Sequence, residues 1–136
     1  MTPEELLYAE THEWVYIGTS PAGDKIATMG ISALAVEQLG EVVYIGLPEP
    51  GRRVTAGEPL AEVESVKAVS DVHAPVGGEV VEVNAQLAKK VDRLAADPYG
   101  DGWLVRIKID DESALANLLD YAAYRSRCDE ESTDGQ

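Results

Sequence analysis

The stretch "ESVKAVSDV", residues 64–72, sets Lys67 in a short β-branched run with acids on both sides. A lysine amine can be acylated to an amide. That removes its charge and leaves the long flexible stem as a tether. For an enzyme to attach a group there, the lysine must project from a tight turn that flanking strands hold rigid. "AEVES", "VKA" and "VSDVHAPV" supply an alternating strand, a small turn and a second β-rich piece. Ala68 is small, and Ser65 and Ser70 do not crowd the lysine. The commonest fate of a turn lysine is plain exposure, and spacing alone leaves that reading ahead. A Schiff-base lysine needs its ammonium destabilised by burial or nearby cations. Glu62, Glu64 and Asp71 are the charged neighbours in sequence, and they would keep Lys67 charged.

Other chemistry is hard to place. The sequence has no Gly-rich phosphate loop, no paired-His metal motif and no Ser nucleophile elbow. His12 and His73 are too far apart in sequence to show metal-ligand spacing, and each reads as a surface or hydrogen-bonded histidine. No catalytic residue and no metal ligand is therefore assigned. The single cysteine, Cys128, cannot form an internal disulfide, and acids beside it disfavour a thiolate. The formal net charge of -14 opposes nucleic acid and anionic membrane surfaces, since phosphates would be repelled. It suits solubility, or docking onto basic patches of protein partners. The N-terminal "MTPEELLYAE" carries acids where a signal peptide carries bases, and no apolar run approaches the ~20 residues of a membrane span. A cytoplasmic protein is expected.

The elements that must position Lys67 are mostly strands. "EWVYIGTS" (13–20) and "DKIATMGI" (24–31) read as a strand pair across "PAG". "SALAVEQLG" (32–40) reads as a helix, with Ser32 as N-cap, Leu34, Val36 and Leu39 facing inward, and Gly40 as the stop. "EVVYIGLPEPG" (41–51) predicts a buried strand. In 52–84, Glu62 and Glu64 alternate with Val63 and Ser65, and Val81, Glu82 and Val83 repeat the pattern, as in half-buried strands. "AQLAKKVDRL" (85–94) predicts a helix capped by Asn84, "DPYGDG" (97–102) a turn cluster, and "WLVRIKI" (103–109) a strand. Leu115, Leu118 and Leu119 predict a C-terminal helix within 111–127, packed on the sandwich. Phe is absent, so Val, Ile, Leu and Ala must do most of the packing, with Trp14 and Trp103 as anchors. The reading is one mainly β domain over 1–127 and an acidic, disordered tail over 128–136. The tail holds four acids and no Lys or Arg, so -10 of the formal -14 stays on the domain.

"VESVKAVSDVHAPVGGEVVEVN" resembles the lipoylation segment of the glycine cleavage system H protein family. "THEWV" (11–15), "MGISALAVEQLGEVVYIGLPEPG" (29–51) and "DPYGDGWLVRIKI" (97–109) match the same family in order and at the expected separations. The resemblance covers roughly residues 7 to 125. A lone "ESVKA" would be weak, because biotinyl domains also place a lysine in a hairpin. Biotin carriers typically flank theirs with Met, and here the neighbours are Val66 and Ala68. One stretch departs from the pattern. "LAKKVDRLAADPYG" brings Lys89, Lys90 and Arg93 together where the family often has a proline-led turn and an Asn.

The resemblance implies a barrel-sandwich hybrid of the lipoyl/biotinyl kind with small helices packed on it. It implies a non-catalytic carrier with lipoate attached to Lys67 as lipoyl-lysine. The arm would visit a pyridoxal-phosphate glycine decarboxylase (P protein), an aminomethyltransferase (T protein) and dihydrolipoamide dehydrogenase (L protein). A lipoate ligase or a lipoyl/octanoyl transferase would attach it. Thr11, Glu13 and Asp71 are the expected contacts of the loaded arm's amine. Glu64 and Ser65 either help the attaching enzymes recognise the hairpin or only shape the strand. A monomer with small, transient interfaces is expected. Two alternatives stay open: a carrier relaying lipoyl groups to other enzymes, and an unmodified acidic interaction module.

Overall fold

The computed structural model describes residues 2–134, with side chains as far as Cys128. A 3-10 turn at Pro3–Glu5 leads to β1 (Leu7–Tyr8). β2 (Glu13–Thr19) and β3 (Lys25–Ile31) form the antiparallel pair predicted from their alternation. Trp14 lies across Gly30, where a Cβ would come within 2.8 Å of the indole nitrogen. The chain then forms α1 (Ala33–Leu39). Ser32 Oγ accepts the Ala35 N–H, and Gly40 ends the helix at φ 79°, a left-handed backbone that glycine tolerates. Val36 and Leu39 are buried as expected, while Leu34 is half-buried.

β4 (Val42–Gly46), β5 (Arg53–Val54), β6 (Pro59–Ser65), β7 (Val69–His73) and β8 (Gly77–Val83) follow. The short helices α2 (Ala85–Lys89) and α3 (Asp92–Ala96) precede β9 (Val105–Asp111). A 3-10 segment at Glu112–Asn117 and the helix α4 (Tyr121–Asp134) complete the order. The strands make two antiparallel sheets. One has six strands in the order β1-β2-β3-β9-β8-β5, and the other three in the order β4-β6-β7. Among the described residues, no helix is long and apolar enough to cross a membrane.

Two clusters fill the interior. The main core is aliphatic and draws on both sheets through residues such as Val15, Ile45, Val63, Val72, Val80 and Ile107. The second joins Leu6, Tyr8, Trp14 and Tyr124, with Tyr99, Trp103 and Tyr121 packed around them. The chain without Phe thus gathers both tryptophans and four of its six tyrosines at one place. Trp14 Nε1 donates to the Pro98 carbonyl at 2.9 Å, which meets the hydrogen-bonding need of a buried indole. The turn cluster at 97–102 does more than reverse the chain, because Tyr99 Oη accepts the Ala33 N–H at 3.0 Å, at the start of α1.

Five expectations are corrected. β4 is an edge strand, not a buried one: Val43 is 50% and Tyr44 51% exposed, and the register shifts between Val42 and Tyr44. A continuous apolar run such as VVYI reads as a strand buried on both faces, and which edge stays open is decided by the sheet's strand order. The alternation at 81–83 is broken by a register shift between Val80 and Glu82, so Val80 is buried and Val81 faces out. The helix expected over 85–94 is two helices, because the backbone leaves helical geometry at Lys90 (φ -135°, ψ 69°); no residue type there accounts for the break. The helix expected within 111–127 begins only at Tyr121. Leu119 instead exchanges both backbone hydrogen bonds with Tyr8, each 2.7 Å, which requires extended chain at that point. Asp120 Oδ1 then accepts the Ala123 N–H at 2.8 Å and starts α4. The α4 backbone is helical to Asp134, where the composition predicts a disordered tail; Gly135 and Gln136 lie outside the described residues.

β8 passes so close to β9 that a Cβ at Gly78 would collide with the Lys108 carbonyl oxygen. Gly78→Ala therefore forces two backbones apart and is expected to cost about 2 kcal/mol or more. Urea unfolding should show the lowered midpoint.

Candidate functional site

The hairpin that carries Lys67 is local in its construction. β6 and β7 pair down to Glu64 opposite Val69, and only four residues close the end. The Ser65 N–H donates to the Ala68 carbonyl at 2.7 Å. Ser65 Oγ accepts the Ala68 N–H at 3.1 Å and donates to the Ala68 carbonyl at 3.2 Å. The buried serine thus fixes the turn with its side chain, a standard use of Ser where the backbone cannot complete its own bonds. The Val66 N–H donates to the Glu41 carbonyl at 3.0 Å and ties the tip to the start of β4. Val66, Lys67 and Ala68 stand exposed, Val66 at 72%. Lys67 Cε lies 3.8 Å from where a Gly40 Cβ would be, so its stem runs past the end of α1.

The sequence neighbours Glu62 and Glu64 do not capture the lysine. Among the described residues, Lys67 forms no ion pair. Its amine is available for acylation, on an exposed and braced turn. These residues fit the covalent arm that the resemblance implies.

A cleft of about 140 Å³ opens at the root of this hairpin. One wall is Thr11, His12 and Glu13, where the chain enters β2. Ser70, Asp71 and Val72 of β7 form another, and Ala35, Gln38 and Leu39 of α1 a third. Thr11, Glu13 and Asp71 are thus brought to one place from segments some 60 residues apart in sequence. α1 links cleft and lysine, because Gly40 beside the Lys67 stem directly follows Leu39 in the cleft wall.

Glu13 is the unusual member. It is 1% exposed, and a buried carboxylate is costly unless hydrogen-bonded. The Thr11 hydroxyl donates to Oε1 through a short contact. Oε2 accepts the His73 N–H at 2.9 Å and lies 3.4 Å from His73 Nδ1. A carboxylate offers about four acceptor positions. Three are directed at these partners, so the buried carboxylate is met from both of its oxygens.

Sequence reading passed over several cleft residues: His12, Gln38 and Ser70. His12 stands between two residues that were singled out, and its position was the available signal. Both histidines do make hydrogen bonds: His73 meets Glu13, and His12 Nδ1 lies 2.7 Å from Tyr124 Oη. Tyr124 comes from α4, 112 residues away, and no local pattern announces it. Burial raises the Tyr124 hydroxyl pKa well above its ordinary value, so it stays protonated.

The departing basic run has its own place. Lys89, Lys90 and Arg93 line a second concavity of about 400 Å³ with Asn84, Leu87 and Trp103. Arg93 pairs with Asp101 at 3.2 Å, and Arg106 pairs with Glu82 while lying over the Trp103 ring. None of this run lines the cleft at the hairpin. Among the described residues, no group of three or more His, Cys, Asp or Glu is placed to hold a metal ion.

Comparison with known proteins agrees with the geometry. The family model described as glycine cleavage H-protein matches residues 6–131. A glycine cleavage system H protein of Pseudoalteromonas atlantica is 50% identical over 129 residues, covering 95% of this chain and 97% of its own. One from Thermotoga maritima is 50% identical over 124 residues, 91% of this chain and 96% of that protein. The crystal structure of a glycine cleavage system H protein from Mycobacterium marinum superposes with a TM-score of 0.83 at 38% identity, covering 93% of this chain and 98% of that one. The mainly β architecture with small helices is that of these carriers, and the chain belongs to the glycine cleavage H-protein family.

Proposed function

We propose that Lys67 is the lipoyl-attachment residue, and that through it this chain works as the mobile carrier of glycine cleavage. The observation that carries the reading is the exposed, unpaired lysine on a serine-braced turn of the same β6–β7 hairpin whose Val63, Ser70, Asp71 and Val72 line a cleft shared with Glu13. When attached, the lipoyl group supplies a disulfide that accepts the aminomethyl group of glycine, and a long tether for it. The protein's own residues do the rest. Ser65, Val66 and Ala68 hold the turn open for the attaching ligase or transferase, and Glu64 offers that enzyme a charge. Glu13 and Asp71 present carboxylates to the cargo's ammonium, with Thr11 fixing the Glu13 orientation. The walls of the cleft keep water from the cargo between visits.

The enzymes met in turn are the P protein that loads the aminomethyl group, the T protein that removes it and the L protein that restores the disulfide. The chain itself is a non-catalytic component, and the family match does not favour the relay or interaction-module alternatives.

Reconstitution with purified P, T and L proteins tests the function directly. The lipoylated chain should support glycine-dependent turnover, and Lys67→Arg should give none. Turnover by that variant would refute the assignment. Glu13→Gln and Asp71→Asn should each shorten the lifetime of the loaded aminomethyl group, by about tenfold if one charge-assisted hydrogen bond of roughly 1.5 kcal/mol is lost. Formaldehyde release from the isolated loaded carrier measures it, and unchanged lifetimes in both variants would remove the cleft from the account. Glu64→Ala should slow lipoylation by the attaching enzyme while leaving the melting temperature near that of the parent. A normal modification rate would confine Glu64 to shaping the strand.

A further inference from the structure

His12 has φ 79°, the only left-handed backbone among the described residues other than glycine. A residue with a side chain holds that conformation where its surroundings over-determine it, and such positions gather at functional sites. The restraints are on both sides of the residue. The His12 N–H donates to the Ala9 carbonyl at 3.0 Å, and its carbonyl accepts the Ser32 N–H at 2.9 Å. The ring is held at Nδ1 by Tyr124 Oη at 2.7 Å.

Tyr124 is well placed to act as a fixed post. It is 3% exposed and stacks on Tyr8 with ring centroids 4.3 Å apart and planes within 8°. Its hydroxyl also lies 2.6 Å from Ser32 Oγ, the atom that caps α1 by accepting the Ala35 N–H. One hydroxyl thus touches two walls of the cleft at once. His12 belongs to the wall formed by residues 11–13, and Ser32 starts the helix that supplies Ala35, Gln38 and Leu39. Tyr124 itself does not line the cleft.

We propose that Tyr124 is a positioning residue: its hydroxyl clamps His12 and the α1 N-cap together, so that the 11–13 wall and α1 keep their spacing around the arm cleft. The proposal rests on the cleft reading for its functional meaning, but the clamp is a property of the unmodified chain. It makes the C-terminal helix part of the carrier site, although α4 packs on β1 and the N-terminal turn. It also accounts for a histidine in a strained backbone beside Glu13, because a relaxed residue 12 would change the direction in which Thr11 and Glu13 enter β2.

Tyr124→Phe removes the hydroxyl and keeps the ring on Tyr8, so the fold should survive. In the unlipoylated protein, the His12 ring nitrogen resonances should move. Amide exchange at residues 11–13 and 33–36 should quicken by about tenfold or more while β3 and β9 amides exchange as in the parent. Unchanged His12 resonances and exchange, or an equal acceleration everywhere, would overturn the proposal. In the loaded carrier, Tyr124→Phe should shorten the aminomethyl lifetime, with Glu13→Gln and Asp71→Asn run beside it. Shortening by those two but not by Tyr124→Phe would also overturn it and leave the cleft reading standing. Local loosening in Tyr124→Phe with no change of lifetime in any of the three would uphold the clamp and refute the cleft reading.

Discussion

A single buried carboxylate joins the two sheets where the site is built. Glu13 begins β2 in the six-stranded sheet, and its side chain reaches the His73 amide at the end of β7 in the three-stranded one. Burying that charge is unfavourable unless its partners are in place. Thr11 must therefore offer its hydroxyl, and β7 must end where its amide can donate. The hairpin that carries Lys67 is the far end of the same β6–β7 pair. The demand of one acid thus sets the position of the strand that displays the lysine. The same residue is part of the cleft wall, so the partners of one acid and the shape of the cleft are fixed together.

Around that point the chain separates rigidity from reach. The aliphatic core fixes the sheets, and the tyrosine-rich cluster fixes the N-terminal segment against α4. Lys67, by contrast, sits exposed on a turn held by one serine and one bond to Glu41. Exposed Val43, Tyr44, Val66 and Val69 lie on the strands and turn around it. A carrier whose cargo is handled by other proteins needs its lysine accessible and its cleft pre-formed. This division supplies both.

What could be read from the sequence was what depends on near neighbours. The β2–β3 pair, the Ser32 cap, the Gly40 stop and the strand–turn–strand around Lys67 each follow from a few adjacent residues, and each is present. The failures share a different cause. Val42 to Ile45 form a continuous apolar run like that of a buried strand, but β4 has a neighbour on one side only. Leu115, Leu118 and Leu119 have helical spacing, yet a backbone pairing of Leu119 with Tyr8 more than a hundred residues earlier outweighs it. Thr11, Glu13 and Asp71 were chosen through family resemblance, not spacing, and the fold places all three at one cleft. The contact between His12 and Tyr124 carried no sequence signal, because a tyrosine in a polar helix looks like any surface tyrosine until the partner is known.

The account turns on whether Lys67 is the residue that is acylated. The most direct test is intact-mass spectrometry with peptide mapping on protein made in cells supplied with lipoate, beside Lys67→Arg. The account predicts one lipoyl group, located on the peptide containing Lys67 and missing from the variant. An unmodified Lys67 in the presence of competent attaching enzymes, or a lipoyl group on another lysine, would contradict it.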